Sequence, residues 1–473
     1  MEIALWLQLV IWLTVLGFYL ASGRATVFHP ATIYMAFHGI VFVLRPFLVF
    51  FFGFDSGWKY MFFSPDESDL IRTLAVTTVG LVSFMVVSCA VSKTRVEFDN
   101  SPPRLFSEQE RLALILTTLL LAPVALYSIQ VTAKQGGGMG ELITLSAGGT
   151  LIHTQTTGYV TDAQSVIGPL ICAWLVVTRF HRFNLIPLGI FIAYRSWCGW
   201  SRFSIVLLFL MIVVAYCWQY RKKWLPAWSL AMAVPILVLF NVLGHNREFF
   251  HAPSADRIDY EEKGVAMSRV EKARKQLDTQ DFANFDYLAA VVSVVPARTG
   301  RFTYGLQYLQ LFTEPIPRML WKEKPAGAPV SLFNINSFVN FIGLTFSLVG
   351  DGWLSGGWIG VVVELGLAGL ILRSVHHVFW KHINNPKVAI FYISGLAMLP
   401  QWYRDGGISI AKFLFWTWIP LILWMGMTWC LGRRMVDSTS IILARGSSVR
   451  LVRYGAGSRA ARGPEISHII VER

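Results

Sequence analysis

Long apolar runs alternate with short polar connections along most of the chain. The runs are Ile3–Leu20, Leu74–Val91, Leu112–Tyr127, Ser204–Trp218, Leu230–Leu243, Ile359–Leu372 and Phe413–Cys430. A helix needs roughly 18–20 apolar residues to cross a bilayer, and the shorter cores reach that length with their polar flanks. The pattern predicts an all-α polytopic membrane protein with about 11 transmembrane helices, in a range of roughly 10–12. One stretch departs from it. Residues 245–355 form the only large extramembrane body, a loop containing short helices. There "SRVEKARKQLDTQ" reads as a polar surface helix, with Val270, Ala273 and Leu277 on one face and Glu271 four residues before Lys275. "YLAAVVSVV" (287–295) is apolar but too short to span, so it is expected at the interface or packed under the loop. The organisation is then an N-terminal transmembrane bundle over 1–244, the large outward loop over 245–355, C-terminal transmembrane helices over 356–431, and a basic tail over 432–473.

Charge orients this layout. Lys and Arg favour cytoplasmic loops, and alternate connections are basic: Lys93, Arg95 and Arg104; Arg179 and Arg182; "RKK" at 221–223; Arg373, Lys381 and Lys387. These are expected on the cytoplasmic side. So is the tail, with Arg433, Arg434, Arg445, Arg450, Arg453, Arg459 and Arg462 among Gly, Ser and Ala, where disorder or loose lipid contact is expected. The connections 53–69, 132–164, 198–202, 245–355 and 403–408 then face outward, with the N-terminus outside. The first apolar run has no basic leader or small-residue cleavage site and reads as a retained helix.

Composition agrees. The 473 residues are 54% hydrophobic and 15% charged, too apolar for an ordinary soluble enzyme of this length. Loop placement accounts for the net charge of +13 better than nucleic acid does. Cys89, Cys172, Cys198, Cys217 and Cys430 lie in or beside apolar segments without paired spacing, which suggests neither disulfides nor a metal site. No phosphate-binding glycine loop, HExxH or GxSxG occurs, so ATP-driven transport by this chain alone is disfavoured.

The candidate chemistry lies in the outward connections. "PIPRMLWKEKP" (315–325) is a stiff elbow carrying Arg318, Lys322 and Lys324, with Trp321 as a headgroup anchor. Arg298 and Arg301 bring the total to five cations between 298 and 324. Guanidinium forks bind phosphate oxygens in pairs and lysine adds point charge, so the loop is either a phosphate site or a solvated charged surface. Asp351, in "VGDGWLSGGWIG", reads as a general base, an orienter for an arginine, or a helix-entry residue. Gly356 and Gly360 permit close helix packing, and the Trp353 and Trp358 rings suit the interface or a sugar face. Arg404 and Asp405 in "YRDGG" either pair with each other or hold an anionic ligand; Arg202 occupies a similar turn. Glu364 falls inside a span and needs a partner, Arg404 or Arg202, or a proton. His245 opens the long loop as a surface or catalytic group.

These residues carry a resemblance. "YGLQYLQLFTEPIPRMLWKEKP" resembles the motif of bacterial oligosaccharide repeat-unit polymerases, the Wzy-type O-antigen and exopolysaccharide polymerases. "GLTFSLVGDGWLSGGWIGVVVELGLAG" is similar to that family's next segment, "FHPATIYMAFHGIVFVLRP" to its second span, "GYVTDA" to its approach to the middle bundle and "YRDGG" to its late arginine turn. The specific part covers roughly 298–360. The family's usual residue at the position of Asp351 is glutamate, and the basic tail lies outside its pattern.

The resemblance implies a GT-C-like, metal-independent glycosyltransferase of the bacterial inner membrane with a periplasmic site and no cofactor. Its substrate would be undecaprenyl-pyrophosphate-linked oligosaccharide; membrane lipid and a chain-length regulator are further expected partners, and nucleic acid is not. Asp351, Arg318 and Arg404 are the expected catalytic residues. Arg202, Arg298, Arg301, Lys322, Lys324, Trp353, Asp405 and His245 are the expected substrate contacts. Rival readings are an O-antigen ligase-type enzyme using lipid A core as acceptor, and a glycolipid transporter or flippase. The transporter predicts charges at mid-depth in several spans and matching halves; the sequence shows few such charges and no evident halves.

Overall fold

Local signals set several helix starts. "SEQE" at 107–110 closes a reciprocal cap: the Glu110 amide donates to Ser107 Oγ at 3.2 Å and the Ser107 amide to Glu110 Oε2 at 2.9 Å. His29 Nδ1 accepts the Ala31 amide ahead of Pro30, and the Asn385 side chain accepts the Lys387 amide ahead of Pro386. In both, proline occupies a position whose N–H would have no helical partner. The computed structural model describes residues 1–89, 103–134, 142–145, 151–153, 160, 162–198, 203–233, 235–236, 278, 282–313, 316, 321, 335–341 and 344–445.

The helices are α1 (Glu2–Ala21), α2 (Pro30–Phe52), α3 (Ser56–Met61), α4 (Glu67–Cys89), α5 (Glu108–Lys134), α6 (Ala163–Val177), α7 (Leu185–Cys198), α8 (Phe203–Gln219), α9 (Asn284–Val294), α10 (Ser347–Lys381), α11 (Pro386–Ala397), α12 (Leu399–Asp405) and α13 (Gly407–Arg445). A two-stranded antiparallel ladder pairs Leu142–Leu145 with Leu151–His153. Among the described residues six helices are long and apolar enough to cross a membrane: α1, α2, α4, α5, α10 and the Ile410–Gly432 part of α13. Of the further spans expected from the sequence, Ser204–Trp218 is helical but short, and 237–243 lies outside the described residues. Ile3, Leu7, Val10, Leu13, Phe18 and Leu20 of α1 are at least half exposed, an apolar exterior that hydrocarbon accommodates and water does not.

Small residues bring α4 and α10 together. A Cβ at Gly80 would meet Val349, Val361 and Leu365 at 3.4–3.6 Å, and one at Gly369 would lie 2.9 Å from the Phe84 carbonyl oxygen. The "YLAAVVSVV" segment packs against described residues of the long loop, its Tyr287 ring meeting Phe341, and it also reaches into the bundle. Every residue of α9 is buried, and it packs against α4 and α10. Eleven residues cannot span, but they can fill a bundle that longer helices enclose. The boundaries drawn at 244 and 355 thus separate segments of one unit, Met1–Thr428. The second unit begins at Trp429; α13 continues through Arg445, past the start of the expected disordered tail, because 433–444 has no Pro or Gly to stop it.

The connections sort into two ends. At one, Glu110 bridges Arg104 (3.0 Å) and Lys387 (3.1 Å), Arg221 donates to Asn384, the Trp218 indole donates to the Ile383 carbonyl, and the Val27 amide donates to the Lys223 carbonyl. At the other, the Asn340 amide donates to the Met61 carbonyl, Arg298 lies over the Phe63 ring, and Asp278 accepts from the Asp55 and Ser56 amides. Arg104 and the connections around 221–223 and 381–387 therefore share one end, as alternation through a bilayer requires, while Lys93 and Arg95 lie outside the described residues.

Candidate functional site

A break in α10 organises the second end. Gly356 and Gly357 leave helical geometry, Gly357 at φ 60°, and the chain doubles back. A Cβ at Gly360 would overlap the Gly352 carbonyl oxygen, and one at Gly352 would lie 2.8 Å from the Val361 Cα. The close approach expected of Gly356 and Gly360 is thus made by Gly352 and Gly360 across the turn. The break orphans carbonyls of the last turn. The Thr303 amide and hydroxyl serve the Leu354 carbonyl at 2.8 and 2.9 Å, and the Tyr304 amide serves Ser355 at 3.1 Å. "RTGRFTYG" is thereby pinned against the turn, with Arg298 and Arg301 both exposed.

Beside this hairpin, three sequence-distant segments converge. Asp351 is buried, and its Oδ2 accepts the Gly407 amide at 2.6 Å. Gly406 holds φ 86° there, and a Cβ on it would overlap the Asp351 carboxylate. The Tyr308 ring lies so close that a Cβ on Gly407 would be 3.0 Å from its Cε1. The Tyr308 hydroxyl donates to Glu364 Oε1, while Ser355 Oγ stands 3.5 Å from Glu364 Oε2 and accepts from Gln307 at 2.6 Å. Burial first, then the Asp351 and Glu364 carboxylates, push the Tyr308 phenol above its ordinary value, so it remains a donor. Neither carboxylate has a cation partner among the described residues. Glu364 bonds Tyr308 and Ser355; of the two arginines the sequence offered it, Arg404 lies beside Asp405 and Arg202 lies outside the described residues.

Arg404 and Asp405 end helix α12 and do not form a loop turn; only Gly406 separates α12 from α13. Their side chains lie 3.6 Å apart, the mutual pairing left open by the sequence. The Arg404 carbonyl accepts from Asn284, whose amide also reaches Thr345 at 2.8 Å, tying the turn to α9. Burial pushes the Asp405 carboxyl up, opposed by the Arg404 charge and a Gln401 hydrogen bond. Nearby, Asp162 of "GYVTDA" pairs with Lys412 at 2.6 Å.

Trp353 is a core residue, contrary to its expected exposure to sugar. It is 4% exposed, its indole donates to the Val295 carbonyl at 2.8 Å, and its ring meets Phe302 and Trp358 edge-on. Spacing alone placed it at a span mouth; the hairpin turns it inward. Trp353→Phe should therefore cost about 1–3 kcal/mol through the orphaned carbonyl, read as a lower melting temperature in detergent. A sugar platform would instead tolerate phenylalanine without loss of stability.

Arg318, Lys322, Lys324, Arg202 and His245 lie outside the described residues; of the elbow, Ile316 and Trp321 are described, both partly exposed. Sequence reasoning missed Tyr308, which no spacing rule couples to a carboxylate. It also missed a buried ion cluster: Arg45 reaches Asp286 at 2.6 Å and Asp278 at 2.7 Å. A signal existed, since Arg45 and Asp286 are isolated opposite charges in apolar segments, and each demands a partner.

Fold and site define a helical membrane protein with a carboxylate–phenol cluster at the end of the bundle opposite its basic connections. No family model, no curated protein and no solved structure matches the chain.

Proposed function

We propose that this protein is a membrane glycosyltransferase that polymerises oligosaccharide repeat units carried on undecaprenyl pyrophosphate. The reaction would occur on the periplasmic face of a bacterial inner membrane. The observation that carries the reading is the convergence of segments bearing the family resemblance. Tyr308 of "YGLQYLQL", Asp351 of "VGDGW" and Gly406–Gly407 of "YRDGG" meet at one point. The exposed Arg298 and Arg301 are tied to the same hairpin.

The chemistry asked of such a site is modest. A sugar C1–pyrophosphate bond already has a good leaving group. The protein must stabilise charge growing on the pyrophosphate and orient or deprotonate an acceptor hydroxyl. Arg298, Arg301, Arg318, Lys322, Lys324, Arg202 and Arg404 would supply the charge. Asp351, the base candidate from sequence, is committed to the Gly407 amide, which suits positioning of the Arg404 segment. Glu364 is partly exposed and joined to Tyr308, which makes it the stronger proton acceptor. The opposite, basic end would face the cytoplasm.

Purified protein given lipid-linked repeat unit alone should produce a ladder of polymer lengths. No product without a lipid A core acceptor would favour the ligase reading, and no transfer under either condition would sink the proposal. Arg404→Ala and Arg318→Ala should each slow polymerisation by roughly a hundredfold or more at unchanged protein level, matching about 2–4 kcal/mol of lost charge stabilisation. Unaltered yield and chain length in both variants would refute the cation assignment.

A further inference from the structure

At the basic end, a cleft of about 630 Å³ opens between the start of α5, the C-terminal end of α6 and the turn that follows it. Arg104, Arg111, Arg179 and His181 line it. Glu110, the acid nearest to it in sequence, is already bridged between Arg104 and Lys387. Arg111 and Arg179 have no carboxylate partner among the described residues, and both are exposed. The cleft thus carries surplus positive charge.

The turn that presents Arg179 is strained. Arg179 and Phe180 both hold left-handed backbone, at φ 55° and 58°, where side chains other than glycine's are disfavoured. The Phe180 amide closes onto the Leu175 carbonyl at 2.6 Å, so helix termination requires the conformation while the arginine itself does not.

The remaining walls are apolar. Leu105, Ile115 and Phe183 line the cleft, and exposed Leu112, Leu185 and Ile186 continue those surfaces along α5 and α7. Trp174, suited to a headgroup boundary, is also part of the lining. A soluble anion would use only the cations; this lining also offers surface to hydrocarbon chains. We propose that the cleft seats the phosphodiester headgroup of an anionic phospholipid, with its acyl chains along the apolar faces of α5 and α7.

The test is native mass spectrometry of the full chain in detergent, with phosphatidylglycerol and phosphatidylcholine of identical acyl chains. Wild type should retain phosphatidylglycerol preferentially. The double variant Arg111→Gln/Arg179→Gly should bind it at least about tenfold more weakly, with phosphatidylcholine binding unchanged. Glycine suits the backbone at 179, so this variant should melt no lower than wild type. Arg111→Lys/Arg179→Lys should keep most of the preference. The proposal is overturned by equal retention of the two lipids in wild type, by an unchanged preference in the glutamine–glycine variant, or by equal loss in the lysine pair. Displacement of phosphatidylglycerol by millimolar inorganic phosphate would assign the cleft to a soluble anion and overturn it likewise. Because the readout is bound lipid, its outcome is separate from that of polymer synthesis.

Discussion

Arg45→Leu should destabilise the protein by about 3–5 kcal/mol, seen as lost monodisperse protein or a sharply lowered melting temperature. The guanidinium is 2% exposed and bonds Asp286, which is fully buried, and Asp278. Removing it strands charge in an apolar bundle. Asp278 keeps other donors, the Asp55 and Ser56 amides and the Ser56 hydroxyl, whereas Asp286 keeps its own backbone amide and no other side-chain donor among the described residues. Adding Asp286→Leu to Arg45→Leu should therefore recover much of the loss. A single variant as stable as wild type, or a double variant no better than the single, would contradict this account. Asp278 makes stability acid-sensitive, whereas burial, opposed by the Arg45 charge, pushes the Asp286 carboxyl up to about 6, so its own contribution runs the other way and weakens as pH rises through that value. Burial alone would raise the Asp278 carboxyl, but hydrogen bonds from Ser56 and Arg45, and then the Arg45 charge, hold it below its ordinary value. Its contribution is full above the unfolded-state value of about 3.9 and is lost as pH falls below that through the folded value. In Arg45→Leu this part of the acid dependence should shrink.

Gly360→Val should open the α10 hairpin and abolish any activity of the site. Its Cβ would overlap a backbone carbonyl, that of Gly352, and no rotamer change relieves such a contact. Overpacking ordinarily costs about 1–3 kcal/mol, and a backbone partner puts this case at or above the upper end. Gly356 has open space around its Cβ position, so Gly356→Ala should be milder. Comparing the two by melting temperature and limited proteolysis separates close approach from a general intolerance of side chains in the segment. Equal behaviour would remove the hairpin argument.

Parts of the site are legible in the order of residues alone. Asp351, Glu364 and the Arg404–Asp405 pair stand out because charged residues beside or inside apolar runs are costly without a reason. Their partners do not stand out. Asp351 takes a backbone amide 56 positions away, and Glu364 takes a phenol 56 positions upstream. Trp353 shows the same limit in reverse: its surroundings along the chain suit an interface, while its actual neighbours make it core.

The sequence by itself determined the class of protein, because hydropathy is a local quantity summed along the chain and a bilayer reads it directly. It also grouped Arg104 with the basic connections 179–182, 221–223 and 381–387, since alternation through a membrane leaves each loop two choices, while Lys93 and Arg95 lie outside the described residues. Only the tertiary structure decided that α9 is an interior helix, that α10 doubles back at Gly356–Gly357, and that Tyr308, Asp351, Glu364 and Gly407 share one neighbourhood. Those facts depend on which surfaces meet across long chain separations, and no periodicity within a segment encodes its distant partner.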